Sequence, residues 1–405
     1  MIRRAIELGR LAVRDVRPAA TIALGCAAAS TGVVVPLLRR LVEDTGHGSV
    51  AAGVFSAAHV LGGAVGAVLG ARALHRAGSP RRLAAAALLA SVVVTLAMAA
   101  ASSLELRIAL RFLDGGCHLL AITALVAAAT AGDPDQRARR AVILGVAIVL
   151  GVAGGLGIGT RFVRPGPALV AAAVLSALAL ATVLARIAAE PPAPAVPRRA
   201  GDRGPIAPGL LAFCERFSFG SMTVAMPFLA SPARVGLVLG GFLVASVLSL
   251  CGAWRYAPAL GPRRLAVRSA LGFTLALACS AAMLSSPAIA AIWAVAAGAA
   301  SGALYASALV LATRSAELEA RARGMATVHA AGSAGHALGA LSAGTLAFAL
   351  PGVLVIAVPG VAVIAAAAIG VWLTVPEAAT DCPVIGALDP RASPPAADRG
   401  DQPAA

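Results

Sequence analysis

Three ionisable residues share one helical face in an otherwise apolar segment. Arg111, Asp114 and His118 are spaced three and four residues apart, so a helix places them on one face with Gly115 and Ile122. A charge inside a bilayer costs roughly 2.5–3.5 kcal/mol on insertion scales and usually faces the protein interior. We therefore predict that Asp114 exchanges protons, that Arg111 tunes its protonation and that His118 relays the proton. The alternative is an ion pair that only neutralises itself.

A second candidate group lies in another apolar segment. Glu215 and Arg216 are adjacent, and Glu215 shares a helical face with Ser218, Phe219 and Met222. A carboxylate, a hydroxyl, an aromatic ring and a thioether suit a pocket for a lipophilic or cationic solute. The alternative is a Glu–Arg pair near the membrane interface whose charges extend to water.

Five further polar residues have both a functional and a structural interpretation. His59, His329 and His336 could titrate near neutral pH, or they could form hydrogen bonds that hold helices together. Ser301 and Tyr305 could line a cavity or pack in the core. No third and fourth ligand accompanies these histidines, so we predict no metal site.

The segments that carry these residues predict a membrane protein. Of the 405 residues, 59% are hydrophobic and 13% are charged, whereas soluble domains carry about 25% charged residues. The apolar residues form blocks of roughly 20, the length of a helix that crosses about 30 Å of hydrocarbon. They do not alternate with polar residues as barrel strands do. We predict an all-α polytopic fold with twelve transmembrane helices at about 18–40, 50–72, 82–101, 106–130, 140–160, 166–188, 207–230, 236–255, 266–284, 287–312, 324–350 and 352–374.

The arginines predict the orientation of these helices. All 33 basic residues are arginine; 25 lie in segments on the side of the N-terminus and 6 on the other side. Cytoplasmic loops carry the excess of positive charge, so we predict a multi-pass protein of the cell (inner or plasma) membrane with both termini in the cytoplasm. The arginines lie in short loops without interleaved aromatic residues, which argues against nucleic-acid binding.

The chain divides into two related halves. Gly70-Ala71 followed by Pro80-Arg81-Arg82 recurs 182 residues later as Gly252-Ala253 followed by Pro262-Arg263-Arg264. The predicted organisation is a cytoplasmic N-terminal segment (1–17), a six-helix bundle (18–188), a Pro-rich cytoplasmic linker (189–206), a second six-helix bundle (207–376) and a disordered cytoplasmic tail (377–405).

At these positions the chain resembles the major facilitator superfamily, over roughly residues 15–376. The segment Arg111 to Gly115 is similar to the family's Arg-x-x-Gln-Gly motif, with Asp114 at the Gln position. The loop after the second span is similar to the family's gating-loop motif, with a histidine where the family has an acid. The matching loop residues are His75, Arg76, Gly78, Arg81 and Arg82. The fifth span is similar to the antiporter motif at Gly151, Gly155 and Gly159, although glycines four apart also permit close helix packing in any bundle.

The resemblance implies a secondary transporter with alternating access, in which the fourth helix lines a central cavity and the second and eleventh helices are neighbours. We expect proton-coupled efflux, by antiport, of a small and moderately hydrophobic solute. The partners would be that solute, protons and the lipid bilayer, and we expect a monomer without a cofactor. Two alternatives remain: uptake of a small metabolite, and a membrane sensor or assembly protein that does not transport. No GxSxG or HExxH motif occurs, and the absence of lysine excludes a P-loop, so we predict that the chain is not an enzyme.

Overall fold

Twelve long helices follow one another along the chain. The structure, a computed structural model, describes residues 18–77, 79–129, 134–187, 206–312 and 318–375. These residues contain no strand, which confirms the predicted all-α fold. The helices are α1 (Pro18–Val34), α2 (Ser49–Ala77), α3 (Pro80–Ala100), α4 (Leu104–Ala129), α5 (Pro134–Gly159), α6 (Pro165–Arg186), α7 (Ile206–Leu229), α8 (Pro232–Leu260), α9 (Pro262–Ala278), α10 (Pro287–Ala312), α11 (Leu318–Leu346) and α12 (Leu354–Thr374).

Local sequence fixes where many of these helices begin. The helices α3, α6, α8, α9 and α10 each start with a proline, which has no backbone N–H to leave unpaired in the first turn and whose φ angle already suits a helix. The α1 helix continues through a 3₁₀ turn, Val35–Leu37, into a short helix, Leu38–Glu43. The ninth predicted span was too long, because α9 ends at Ala278 and a 3₁₀ turn, Ser280–Leu284, follows it.

The hydropathy of the helices matches a membrane environment. Within the described residues, eight helices are long and apolar enough to cross a bilayer: α1 with its extension, α2, α3, α4, α6, α8, α10 and α12. Of the other four, α5 has an apolar stretch, Ile143–Gly159, in the part whose side chains are described, and the described parts of α7, α9 and α11 do not reach the same length and hydropathy. They complete the bundle by packing against the apolar eight.

The two halves repeat one packing scheme. In the first half, α1 packs against α5 and α6, α2 against α4, and α3 against α4 and α6. In the second half, the equivalent contacts join α7 to α11 and α12, α8 to α10, and α9 to α10 and α12. The predicted N-terminal segment, the linker before Ile206 and the tail lie outside the described residues.

The halves meet mainly at one face of the bundle. We call the end at which α6 ends and α7 begins the linker face, and the opposite end the distal face. At the distal face, Ser49 Oγ of α2 donates a hydrogen bond to the Gly344 carbonyl of α11 at 2.9 Å. On the other side of the interface, Gly236 of α8 packs against Thr160, which follows α5. Both contacts join a helix end of one half to a helix end of the other.

The buried apolar clusters also differ between the distal face and the linker face. One buried cluster extends through both halves, and its first-half members, such as Leu41, Phe55 and Leu156, lie towards the distal face. A separate cluster near the linker face contains first-half residues only, among them Leu125 and Val183. Among the described residues, the halves therefore share a core at the distal face.

The contact between the halves at the distal face predicts a specific disulfide cross-link. A Cβ atom at Gly236 would lie 3.8 Å from Thr160 Cβ, within the 3.5–4.5 Å range of disulfides. In a background whose six native cysteines are replaced by alanine, Thr160→Cys with Gly236→Cys should form a disulfide under mild oxidation. The measurement is the mobility shift of the oxidised protein on a gel, reversed by reduction.

The control moves one cysteine by one helical turn. A Cβ atom at Gly240 would have no neighbour within 4 Å, so Thr160→Cys with Gly240→Cys should stay reduced. Equal cross-linking of both pairs, or of neither, would contradict a closed distal face.

Candidate functional site

The α4 helix places the first candidate group inside the protein. It begins directly after Ser103, whose Oγ accepts a hydrogen bond from the Leu106 N–H at 3.3 Å and so satisfies a free N–H of the first turn. One turn further on, Arg111 Nη1 donates to Asp114 Oδ2 at 2.9 Å. The side chains of both residues are more than 90% buried, whereas His118, one turn beyond, is partly exposed.

Both carboxylate oxygens of Asp114 have partners from neighbouring helices. Oδ1 accepts hydrogen bonds from Ser91 Oγ at 2.8 Å and Thr95 Oγ1 at 3.3 Å, both on α3. Oδ2, which is paired with Arg111, also lies 3.4 Å from His59 Nδ1 of α2. Sequence reasoning missed Ser91 and Thr95, although two hydroxyls four residues apart in an apolar helix are a usable signal.

The polar network extends to α1 and to an aromatic ring. His118 Nε2 lies 3.4 Å from Thr31 Oγ1 of α1. The His59 and His118 rings are 5.6 Å apart between centroids, and the Arg111 guanidinium lies 5.4 Å from the centre of the Phe55 ring. Four helices of the first half therefore contribute side chains around Asp114.

Glycines allow this close assembly. A Cβ atom at Gly115 of α4 would collide with the backbone of His59, and one at Gly62 of α2 would collide with the backbone of Phe112. The backbones of α2 and α4 are therefore in direct contact where they cross, as small residues permit. This contact brings His59 within reach of Asp114.

The second candidate group forms a buried pair in the other half. Glu215 Oε1 of α7 accepts a hydrogen bond from Ser301 Oγ of α10 at 2.8 Å. Its Oε2 lies 3.2 Å from Arg216 Nε, and the Arg216 guanidinium lies 5.2 Å from the centre of the Tyr305 ring. The Glu215 side chain is 7% exposed, whereas that of Arg216 is 32% exposed.

The remaining residues on that face of α7 pack within the protein. Ser218 and Met222 are fully buried, and the Ser218 hydroxyl donates to the Cys214 carbonyl at 3.1 Å. The Phe219 ring stacks on the Phe242 ring of α8, with 5.8 Å between centroids. These three side chains are buried in contacts between helices.

The histidines of α11 occupy different environments. His336 is partly buried and meets the edge of the Phe219 ring at a centroid distance of 5.7 Å. His329, two turns nearer the linker face, is exposed. The contact between α2 and α11 that the resemblance implied is present.

The loop residues are only partly described. Arg81 Nη2, at the start of α3, donates to the Leu184 carbonyl of α6 at 2.6 Å, and Arg82 is exposed. Three predicted gating residues have side chains or backbone outside the described part of the chain: His75, Arg76 and Gly78.

Three glycines of α5 face α1. A Cβ atom at Gly151, Gly155 or Gly159 would collide with the backbone of α1.

Among the described residues, no three His, Cys, Asp or Glu side chains are arranged to hold a metal ion.

Comparison with known proteins adds the family. The sequence profile of the Major Facilitator Superfamily matches residues 20–212 and 208–393, once for each half. The chain belongs to the major facilitator superfamily. The superfamily match confirms the sequence-based resemblance and the two-bundle fold, and it identifies a multi-pass membrane protein of a transporter family. No curated protein matches the chain significantly.

Solved superfamily structures share this fold at low sequence identity. The human organic anion transporter MFSD10 (TETRAN) is 17% identical, with a TM-score of 0.64 over 88% of this chain and 99% of its own. A bacterial homologue of the human lysosomal transporter Spinster, solved in an inward-facing and unoccupied conformation, is 14% identical, with a TM-score of 0.68 over 91% and 93%. The nucleoside transporter NupG is 12% identical, with a TM-score of 0.65 over 88% and 97%.

Proposed function

We propose that this protein exports a small, moderately hydrophobic solute from the cell in exchange for protons, by alternating access. The observation that carries the proposal is the Asp114 network. A buried carboxylate shared among an arginine, a histidine and two hydroxyls has few uses in a membrane bundle other than moving charge, because each ionisable group there is costly.

The position of the network supports proton coupling. Asp114 has Arg111 and His59 on one oxygen and two hydroxyls on the other. A proton bound at Oδ2 would displace Arg111 or His59 from that oxygen, so protonation would be linked to a rearrangement between α2 and α4. Because α2 also contacts α11 of the other half, that rearrangement could reach the interface that must open.

The arginine distribution supports the orientation that export requires. With the linker face in the cytoplasm, as the loop charges predict, and a shared core at the distal face, a cleft that opens at the linker face would load solute from the cytoplasm. The same orientation places both termini inside and the protein in the inner or plasma membrane. A monomer contains every residue of the network.

The test is solute-driven proton movement in proteoliposomes. Purified protein is reconstituted with a pH-sensitive dye in the lumen, a pH gradient is imposed, and a panel of solutes is added. We expect solute-dependent proton flux in the opposite direction to solute flux, and its loss when a protonophore collapses the gradient. Solute flux that runs in the same direction as the protons would indicate uptake, and solute flux independent of the gradient would refute coupling.

A further inference from the structure

Arg216 is the exposed member of the pair that it forms with Glu215. The carboxylates of Asp114 and Glu215 are both buried, at 6% and 5% exposed. On the described parts of α7 and α11, the Arg216 side chain is 32% exposed and His329 is exposed. A solute that reaches these helices would therefore meet a guanidinium, whereas the sequence suggested that Glu215 and its neighbours form a pocket for a lipophilic or cationic solute.

Arg216 is held in a fixed position with part of its guanidinium free. Nε faces Glu215 Oε2 at 3.2 Å, one face of the guanidinium lies over Tyr305, and the Cγ methylene packs beside Gly332, where an added Cβ would come within 3.3 Å. A guanidinium presents five N–H donors in a planar fork. The Nε edge faces Glu215, and the guanidinium also hydrogen-bonds the Tyr305 hydroxyl. The remaining N–H groups of the fork are available to a ligand, because the side chain is 32% exposed.

The neighbours of Arg216 also suit an anion. Tyr305 of α10 offers a hydroxyl donor and an apolar ring face, and His329 of α11 is exposed and close enough to Arg216 to interact electrostatically. The α7 helix packs against α10, α11 and α12 and is buried along most of its length. Arg216 therefore lies between Tyr305 of α10 and Gly332 of α11.

We propose that the transported solute carries an anionic group, a carboxylate or a phosphate, and that Arg216 binds this group with Tyr305 and His329 beside it. The anion would occupy the remaining N–H groups of the guanidinium, and the apolar part of the solute would lie on the Tyr305 ring. The proposal rests on the proposed transport function but not on its direction.

The test measures binding without any gradient. Full-length protein in phosphatidylcholine nanodiscs is titrated with three probes of one shape: 2-naphthoate, 2-naphthamide and 2-naphthylmethylamine. We expect the carboxylate to bind at least about tenfold more tightly than the amide, as a charge-assisted hydrogen bond implies. We expect the amine to bind most weakly of the three.

Variants of the Glu215–Arg216 pair separate an anion site from a cation site. Arg216→Gln should weaken naphthoate binding at least about tenfold. Glu215→Gln removes the negative charge beside the guanidinium and should strengthen binding at least about fivefold. Because either single change could affect folding, the neutral double variant Glu215→Gln/Arg216→Gln provides a folded reference, and it should bind naphthoate as weakly as Arg216→Gln.

The experiment also includes a control variant and a competition measurement with an anionic lipid. Arg186 is exposed at the end of α6, so Arg186→Gln should leave binding unchanged. Competition by added phosphatidylglycerol would support the anion site and identify a lipid headgroup as a source of the anion. Tightest binding of the amine, loss of binding in Glu215→Gln, or binding of neither naphthoate nor anionic lipid would overturn the proposal. Absence of proton flux would refute the proposed coupling and leave these binding results intact.

Discussion

Asp114→Asn is expected to abolish proton-coupled transport and to lower the thermal midpoint of the purified protein. Asparagine can still accept the hydrogen bonds of Ser91 and Thr95, but it cannot bind the exchanged proton or neutralise Arg111. Removal of one member of a buried ion pair leaves the other charge unpaired, which destabilises a protein by about 3–5 kcal/mol. Dye-loaded proteoliposomes measure the coupling, and thermal unfolding in detergent measures the stability.

A neutral pair distinguishes the two effects. Arg111→Gln with Asp114→Asn removes both charges with little change in volume, so it should recover most of the lost stability. It should not recover proton coupling, because no titratable carboxyl is restored. Proton coupling at the wild-type level in either variant would show that Asp114 has only a structural role, as a member of the ion pair with Arg111.

An exposed ion pair is the matched control. Arg39 Nε and Glu43 Oε1 are 2.8 Å apart one turn from each other, with side chains about half exposed (49% and 46%). Surface pairs of this kind contribute little, so Arg39→Gln should change stability by no more than about 0.5 kcal/mol and leave coupling intact.

Gly155→Ala is expected to destabilise the first half of the protein, whereas Gly154→Ala should not. A Cβ atom at Gly155 would collide with the Ala29 carbonyl of α1, and one at Gly154 would have no neighbour within 4 Å. A buried methyl group without space costs about 1–3 kcal/mol. At Gly154 alanine should stabilise by up to about 1 kcal/mol, because alanine has the higher helix propensity.

The two variants differ by one position on the same helix, so the result to compare is whether each substitution raises or lowers the thermal midpoint. Thermal unfolding of both proteins in one detergent gives the comparison. A lower midpoint for Gly155→Ala and an unchanged or higher midpoint for Gly154→Ala are expected. A similar decrease for both would mean that α5 tolerates no side chain on either face, and that the contact with α1 is not the reason for the glycine.

Hydropathy and local spacing determined much of the fold. Runs of about 20 apolar residues can satisfy their backbone groups in lipid only as helices, so the number of helices follows from the sequence. The spacing of Arg111 and Asp114 likewise determined that they would pair, because residues three apart on a helix are neighbours. Proline positions fixed the first residue of five helices.

The tertiary structure alone decided which side chains meet across helices. Ser91 and Thr95 reach Asp114 because α3 packs beside α4, and His59 reaches it because Gly62 and Gly115 allow backbone contact. Neither arrangement is local in sequence. The hydrophobic pattern of a membrane helix identifies its length, but it is too uniform around the helix to specify which face meets which neighbour.

The Glu215–Arg216 pair shows most clearly what the sequence determines and what only the packing of helices decides. The sequence determined that a carboxylate, Glu215, and a neighbouring cation, Arg216, lie in the same apolar helix, and it left the burial of the carboxylate open. Only the packing of α7 against α10 and α11 decided that the carboxylate is enclosed with Ser301 while the guanidinium keeps its exposure beside Tyr305. Adjacent residues on a helix point about 100° apart, so the neighbouring helices, and not the sequence, determine which charge a solute would encounter.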